Sequence, residues 1–168
     1  MSTNPSIYVA CLSAYNNGIL HGAWIEATQE LDEINAAISQ MLAASPIENA
    51  EEYAIHDYEG FETAQISEYE GIEQVKELAQ FIEENGLLGA ELYNHFSDLE
   101  EAKTYLENHY NGCFDTVEDY VREIIEQTTE IPENLQYYID YEAIARDMQY
   151  SGDIFTIQTN EGCHIFWG

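Results

Sequence analysis

The first third of the chain carries the pattern of a small antiparallel sheet with one helix. Apolar strand formers fill residues 7–12 and return at 20–25, and the strong turn signal Asn16-Asn17-Gly18 between them predicts a hairpin. Apolar residues at helical spacing then follow Thr28, which can cap a helix. A third strand is predicted at residues 53–58.

The middle of the chain has the 3.6-residue periodicity of helices. Apolar residues recur every three or four positions from Ile72 to Ile82, and Asn85-Gly86 predicts the end of that helix. A short second helix is predicted over residues 88–96. Ser97-Asp98-Leu99-Glu100 fits a capping box, so a third helix should begin there and end near Asn111-Gly112.

The last third mixes both periodicities. Thr116 and Asp140 can each cap a helix, and Pro132 suits the first turn of a helical segment between them. Residues 154–157 and 163–167 are rich in strand formers and are separated by turn residues, which predicts a hairpin at the end of the chain.

These elements predict an α+β fold class in an elongated, multi-domain chain. The pattern changes from sheet to helix near residue 61 and from helix to mixed structure near residue 110. We therefore predict an N-terminal α+β domain at 1–61 with an antiparallel sheet and a helix, a central helical domain at 62–110, and a C-terminal domain at 111–168 with helices and a hairpin.

Net charge is the most unusual property of the composition. The 168 residues hold 33 Asp and Glu against 4 Lys and Arg, a formal net charge of −29. Residues 1–25 carry none of these groups, and the acids are then spread evenly. Direct binding to nucleic acid is excluded, because it needs Lys and Arg to neutralise phosphates. The shortage of the same cations argues against docking on anionic membranes. Apolar residues at 45% and aromatics at 12% also exclude a disordered acidic tail.

The cysteines and the N-terminus indicate a cytoplasmic protein. Cys11, Cys113 and Cys163 are odd in number and far apart, which favours neither a disulfide framework nor a metal site. Cys11 and Cys163 are expected in the core and Cys113 at the surface. Residues 1–5 lack the pattern of a signal peptide, and no apolar run is long enough for a membrane span.

Catalytic motifs are missing from the sequence. It has no phosphate-binding glycine loop, dinucleotide fingerprint, nucleophile elbow or His-Glu-x-x-His motif. Glu91 and His95 share a helix face and could form half of a metal site, although a surface pair or a partly buried imidazole is the interpretation we favour. We therefore expect no enzyme activity, no metal and no cofactor.

The acids on the predicted helices lie opposite the apolar stripes and form rows. A solvated helix face normally mixes signs, because like charges four residues apart destabilise a helix. Here cations are almost missing, so we interpret the rows as a partner-binding surface. Its predicted members are Glu68, Glu70, Glu73, Glu77, Glu83, Glu84, Asp98, Glu100, Glu101, Glu107, Asp115, Glu118, Asp119, Glu123 and Glu126.

Thirteen tyrosines are the second unusual feature. Tyr137, Tyr138 and Tyr141 cluster near the end of the chain. Tyrosine packs in cores with its hydroxyl at the surface, and it is also enriched at protein interfaces. The sequence leaves both roles open for this cluster, as core residues or as a dimer contact.

The size of the charge indicates what the acidic surface imitates. B-form DNA carries one charge per ~1.7 Å of its axis, so a net charge of −29 equals that on roughly 49 Å of duplex. A folded body with this charge fits the basic cleft of a DNA-binding protein. It would act there as a decoy.

Three long stretches resemble the ArdA antirestriction proteins carried by plasmids and conjugative transposons. The resemblance covers almost the whole chain, and the middle, about 62–110, matches mainly in acidity and helical character. The stretches are IYVA at 7–10 with Gly18 and GAW at 22–24, EYAIHDYE at 52–59, and IPENLQYYIDY at 131–141 with Arg146-Asp147 and Ser151-Gly152.

The resemblance implies an elongated three-domain α+β protein that forms a bent two-fold dimer mimicking B-form DNA. It implies binding in the DNA cleft of type I restriction-modification enzymes, at the methyltransferase and specificity core, so that incoming DNA escapes cleavage. It also implies a dimer contact in the C-terminal domain, which agrees with a role for Tyr137, Tyr138 and Tyr141 at that contact.

Two other interpretations of the charge stay open at this point. An acidic chaperone or sink for basic proteins would bind any cationic protein, whereas a DNA mimic would distinguish DNA enzymes from histones. A halophilic protein would carry its charge for solubility alone and would need molar salt to fold.

Overall fold

The N-terminal part of the chain is a three-stranded antiparallel sheet with helices packed beside it. The structure is a computed structural model that describes residues 3–168. The elements of this part are β1 (Ser6–Cys11), α1 (Leu12–Asn16), β2 (Gly22–Glu26), α2 (Leu31–Ala43), β3 (Tyr53–Glu59) and α3 (Ile72–Phe96).

β1 lies at the centre of this sheet, in the order β2-β1-β3. Val9 pairs with Ala23 of β2 and with Ile55 of β3, and a register shift between Tyr8 and Val9 interrupts the second ladder. Ile7 and Val9 are completely buried, because α2 covers this face of the sheet with residues such as Ile34. The three predicted strands are confirmed.

Two local details of this sheet domain differ from the sequence predictions. The chain between β1 and β2 folds into the short helix α1, with Gly18 at φ +75° after it, so the two strands pair without a tight hairpin turn. Helix α2 begins after Glu30, and Thr28 does not cap it. The Glu30 side chain and Glu33 form a capping box instead, while the Thr28 hydroxyl donates to Glu26 at 2.9 Å.

Helix α3 is broken where the sequence predicted a stop. Gly86 has φ +57° and ψ −141°, which is outside the helical region and strained for any residue with a Cβ atom. The two halves continue on either side, as the predicted helices before Asn85-Gly86 and over 88–96. Buried residues along the first half include Val75, Leu78 and Ile82, the predicted apolar stripe.

The C-terminal part of the chain builds a second antiparallel sheet, in the order β4-β6-β5, with three helices. A 3-10 turn at Glu133–Leu135 lies between α5 and α6. The elements are α4 (Leu99–Asn108), β4 (Tyr110–Phe114), α5 (Val117–Thr128), α6 (Tyr141–Ser151), β5 (Ile154–Thr159) and β6 (Gly162–Trp167).

The caps of these helices test the sequence predictions residue by residue. Thr116 and Asp140 accept hydrogen bonds from backbone amides at 3.1 and 3.0 Å, so both predicted caps are confirmed. The predicted cap Ser97 is wrong. Asp98 accepts from the amide of Glu101 at 3.0 Å and caps α4, while Ser97 has φ +55° and ends α3.

Strand β4 was not predicted. Residues 110–114 contain an Asn-Gly pair, which favours a turn, and we expected α4 to end there. In the fold, Cys113 pairs with His164 of β6. The register of this ladder shifts between Tyr110 and Cys113, and Gly112 lies within the shift with φ +108°. Pairing with β6 therefore overrides the local signal.

The segment opened by Pro132 forms only the 3-10 turn.

The α+β prediction, with sheets near both ends and a helical middle, is confirmed. By its internal contacts the chain divides into two compact units, with the boundary between Ser97 and Asp98. The three-domain division at 61 and 110 stays a prediction. Within residues 3–168, no helix combines the length and the apolar character that crossing a membrane requires.

His164 is the one buried polar side chain that the C-terminal sheet holds in its interior, at 2% exposure. Its Nδ1 lies 2.8 Å from the hydroxyl of Tyr110, and its Nε2 lies 2.9 Å from that of Thr159. Burial lowers the pKa of His164, and the carboxylate of Glu161 opposes this shift. The folded state therefore favours the neutral ring.

We expect His164 to make the C-terminal unit less stable in mild acid. The unfolded chain takes up a proton near pH 6.5, whereas the lowered pKa of the folded ring delays its protonation to lower pH, so free energy of unfolding is lost as the pH falls through that range. In urea unfolding from pH 8 to 5, the stability difference between wild type and His164→Gln should shrink. Both proteins carry the same acids, so the contributions of the acids to the pH dependence cancel in the comparison. A stability difference that stays constant from pH 8 to 5 would contradict this account.

Candidate functional site

All 33 acidic side chains of the chain reach solvent. Glu70, Glu91 and Glu118 are half-buried, and every other acid is exposed. Burying an unpaired ionised carboxylate is strongly unfavourable, whereas burying an apolar group is favourable, so the fold keeps its acids outside the two cores. The charge of −29 is therefore displayed on the surface of the folded units.

The few cations neutralise little of this charge. Lys103 pairs with Glu100 at 3.3 Å within α4, and Arg122 pairs with Glu118 at 3.5 Å within α5. Among residues 3–168, neither Lys76 nor Arg146 forms an ion pair. Exposed pairs of this kind contribute little to stability, so they do not compensate for the repulsion between the acids.

In the N-terminal unit, the acidic row follows one side of α3. Glu73, Glu77 and Glu84 are four and seven residues apart, which places them on one helix face opposite the buried stripe. At 1.5 Å per residue the row is about 16 Å long. The remaining predicted members in this unit are Glu68 and Glu70 before the helix and Glu83 beside the row.

In the C-terminal unit, the predicted acids lie on α4, on α5 and at their N-terminal ends. Glu118 is half-buried and the other members are exposed. Asp98 has a second task as the cap of α4. The members in this unit are Asp98, Glu100, Glu101, Glu107, Asp115, Glu118, Asp119, Glu123 and Glu126.

A cation lies within the acidic face of α5. Arg122 is one turn from both Glu118 and Glu126, and its guanidinium carbon is 4.4 Å from the centre of the Tyr141 ring. The ring attracts the cation and ties it to α6. Sequence analysis missed this contact, because Tyr141 is 19 residues away along the chain.

The three clustered tyrosines differ in exposure. Tyr137 is 92% and Tyr138 83% exposed, whereas Tyr141 is 6% exposed and packs in the core with Tyr120 and Ile165. Leu135 in the same segment is 48% exposed. The structure therefore gives Tyr141 a role inside its own unit, and the dimer contact stays a prediction for all three.

The histidines and cysteines were the other candidates for chemistry. Glu91 accepts a hydrogen bond from Thr63 at 3.0 Å, and the His95 ring packs edge-on against Phe96. No group of three or more metal-ligating side chains occurs within residues 3–168. Cys11 and Cys163 are buried and Cys113 is exposed, as predicted.

One polar cluster gave no signal in the sequence. His56 of β3 lies 3.4 Å from a carboxylate oxygen of Glu68, and its ring meets Tyr15 of α1 edge-on at 4.8 Å. Three segments meet there, so spacing along the chain could not reveal it. The cluster borders an open cavity of about 420 Å³.

The sequence model of one protein family, described as Antirestriction protein (ArdA), matches residues 7–162. The chain belongs to the ArdA antirestriction family. The match includes the N-terminal sheet from Ile7 onward, every α-helix that the structure describes and all fifteen predicted surface acids, and it ends at the first residue of β6. A comparison with curated proteins gives no match.

Membership assigns an antirestriction function and an interaction with restriction-modification enzymes. ArdA is a family of antirestriction proteins and not a known enzyme family.

We expect salt to stabilise this ArdA protein against heat. Its carboxylates repel one another, and salt screens that repulsion. The melting temperature should rise as NaCl is raised from about 0.05 to about 0.5 M. In a unit of this size, each gain of about 1 kcal/mol in the free energy of unfolding raises the melting temperature by about 4–8 °C.

A variant with Glu73→Gln, Glu77→Gln and Glu84→Gln is the matched control for this experiment. It keeps the fold and loses three charges of one row, so its melting temperature should rise less with salt. An equal rise in both proteins would show that salt acts by another route than charge screening.

Proposed function

We propose that this ArdA protein is a DNA mimic that occupies the DNA-binding cleft of a type I restriction-modification enzyme. It would bind at the methyltransferase and specificity core and block cleavage of incoming DNA. The observation that carries the proposal is the display of acids: all of them reach solvent, and the rows on α3, α4 and α5 stand on helices whose opposite faces are buried. We propose that the protein acts in the cytoplasm, where incoming DNA meets the enzyme.

The mechanism is electrostatic and requires no reaction. A cleft that binds DNA presents Lys and Arg to phosphates, and DNA binding releases the counterions of the duplex. Carboxylates spaced about 6 Å apart along a helix can meet the same cations. Complementary charge accelerates the encounter and selects the partner. Once the protein is bound, the Lys and Arg of the cleft are occupied and cannot contact DNA.

A fixed pattern of charge distinguishes a mimic from an acidic sink. The acids of α3 and α5 stand on helices anchored by buried residues such as Leu78, Phe81 and Val121, so their spacing is set by the fold. A flexible acidic segment would adapt to any basic protein. Release of labelled target duplex from a type I methyltransferase, with histones as competitor protein, separates the two functions.

The proposal includes a homodimer. The segment after α5 exposes Leu135, Tyr137 and Tyr138 within four consecutive residues. Exposed apolar and aromatic side chains in one segment are typical of an interface. A two-fold dimer would double the length of the acidic surface that meets the enzyme.

We expect the mimicry to be distributed over many acids. Single changes such as Glu77→Gln should weaken displacement of the duplex about twofold, because an exposed charge contributes less than about 1 kcal/mol. Neutralising Glu73, Glu77 and Glu84 together should weaken it about tenfold. The measurement is the concentration of protein that releases half of the labelled duplex from the methyltransferase.

The matched control neutralises Glu48, Glu51 and Glu52, which are equally exposed but precede β3 and belong to no helix row. It removes the same net charge and should weaken displacement less than the α3 variant. Equal losses would indicate that total charge decides and that the pattern does not. Complete loss from one neutralised acid in a folded protein would contradict a distributed surface.

We expect the exposed tyrosines to hold the dimer. Tyr137→Ser with Tyr138→Ser removes two large exposed rings, so the dimer should dissociate at micromolar protein in sedimentation equilibrium. Tyr150→Ser is the control, since Tyr150 is 84% exposed in the same unit but lies on α6. A dimer that persists in the double variant, or one that Tyr150→Ser also breaks, would place the contact elsewhere.

A further inference from the structure

The N-terminal unit holds an open cavity at Glu68, an acid that lies outside the row on α3. Its volume is about 420 Å³, and it is lined by Tyr15, Ile55, His56, Tyr58, Ile66 and Glu68. Ile55 and Ile66 are buried, so they form an apolar base. The polar part of the lining consists of two phenol rings, one imidazole and one carboxylate.

The lining is fixed by contacts within the unit. β3 brings both His56 and Tyr58 to the cavity, with His56 at the residue where the ladder to β1 shifts its register between Tyr8 and Val9. The amide of Ile55 donates to the carbonyl of Glu68 at 2.9 Å, which ties the segment of Glu68 to the edge of β3. The Tyr58 ring packs edge-on against buried Phe61, with ring centres 6.0 Å apart.

The carboxylate of Glu68 keeps capacity for a ligand. One of its oxygens lies 3.4 Å from Nε2 of His56, and the side chain is 51% exposed. A carboxylate has two oxygens and about four acceptor positions, so this contact uses only part of it. The half-exposed ring of Tyr15 meets His56 at the same place.

We propose that this cavity receives an arginine side chain of the partner enzyme, with its guanidinium against Glu68 and the tyrosine rings. A guanidinium is planar, pairs with a carboxylate through two hydrogen bonds and stacks on aromatic faces. The inference rests on the proposed function, because a DNA-binding cleft supplies such arginines. It assigns to Glu68 a more specific task than that of one charge in a row.

Other ligand classes fit the lining less well. An anion is repelled by Glu68 and by the net charge of the protein. A transition metal requires more ligands than His56 and Glu68 provide, and the described residues contain no group of three. A lysine ammonium is a compact, strongly hydrated charge that gains less from the aromatic walls than a guanidinium does.

The pocket itself is tested with small probes in the absence of any enzyme. Arginine amide, lysine amide and citrulline amide are titrated into the full chain while the ring protons of His56 and Tyr15 are followed by NMR. We expect saturable shifts at these rings in the order arginine, lysine, citrulline. Equal shifts with arginine and lysine amide, or shifts spread evenly over the protein, would overturn the proposal.

Variants then assign the effect to the lining. Glu68→Gln and Tyr15→Leu should each weaken arginine amide about fivefold, as expected for one exposed ion pair or one cation–aromatic contact. Glu59→Gln is the matched control, because Glu59 is exposed at the end of β3 and does not line the cavity. Equal weakening by Glu59→Gln would reduce the effect to net charge and overturn the pocket.

The same variants in the duplex-release assay separate this inference from the proposed function. If wild-type protein releases the duplex and Glu68→Gln weakens release about fivefold more than Glu59→Gln, both are supported. Release with equal effects of the two variants supports the mimic and overturns the arginine site at the interface. If wild-type protein releases no duplex although arginine amide binds, the mimic fails and the pocket stands.

Discussion

Repulsion between carboxylates is the constraint on which the rest of this structure depends. A folded chain with a formal net charge of −29 must hold its acids together without neutralising them. The only compensation large enough is burial of apolar surface, at about 25 cal/mol per Å². Each unit accordingly has its own closed core, such as the one around Ile7, Val9 and Ile34 in the first unit.

The division between charge and core explains how much of the fold could be predicted from sequence. Where a segment has one buried and one charged face, periodicity identified it, as in the strands around Val9 and the two halves of α3. The break at Gly86 was also local, because its backbone conformation requires glycine. The predictions failed where a distant partner decided the outcome, and β4 forms only because β6 lies beside it.

Helix caps illustrate the same limit at the scale of single residues. Thr116 and Asp140 cap as predicted, whereas Ser97 gives way to its neighbour Asp98. Several residues in an acidic, hydroxyl-rich chain can serve as caps, so composition alone does not choose between adjacent candidates. The choice was made by the end of α3, where Ser97 adopts a left-handed conformation.

The part of the candidate site that could be predicted from the sequence is the part whose acids recur at regular helical spacing. The row on α3 follows from spacing alone, because residues on one helix face recur at fixed intervals. The cluster of Tyr15, His56 and Glu68 joins a short helix, a strand and a loop, and its partners are 41 and 12 residues apart. Only the fold brings such groups together, so no pattern in the chain announces them.

The position of an acid within its helix determines whether it stabilises that helix. Acids in the first turn, such as Glu100 and Asp119, interact favourably with the helix dipole. Glu107 and Glu126 lie in the last turns of α4 and α5, where a negative charge is unfavourable and a cation would be favoured. Folding does not account for these two exposed acids. The DNA mimicry that we propose accounts for them through a partner that presents cations, and on that proposal the last-turn acids are the members of the surface that depend most on function.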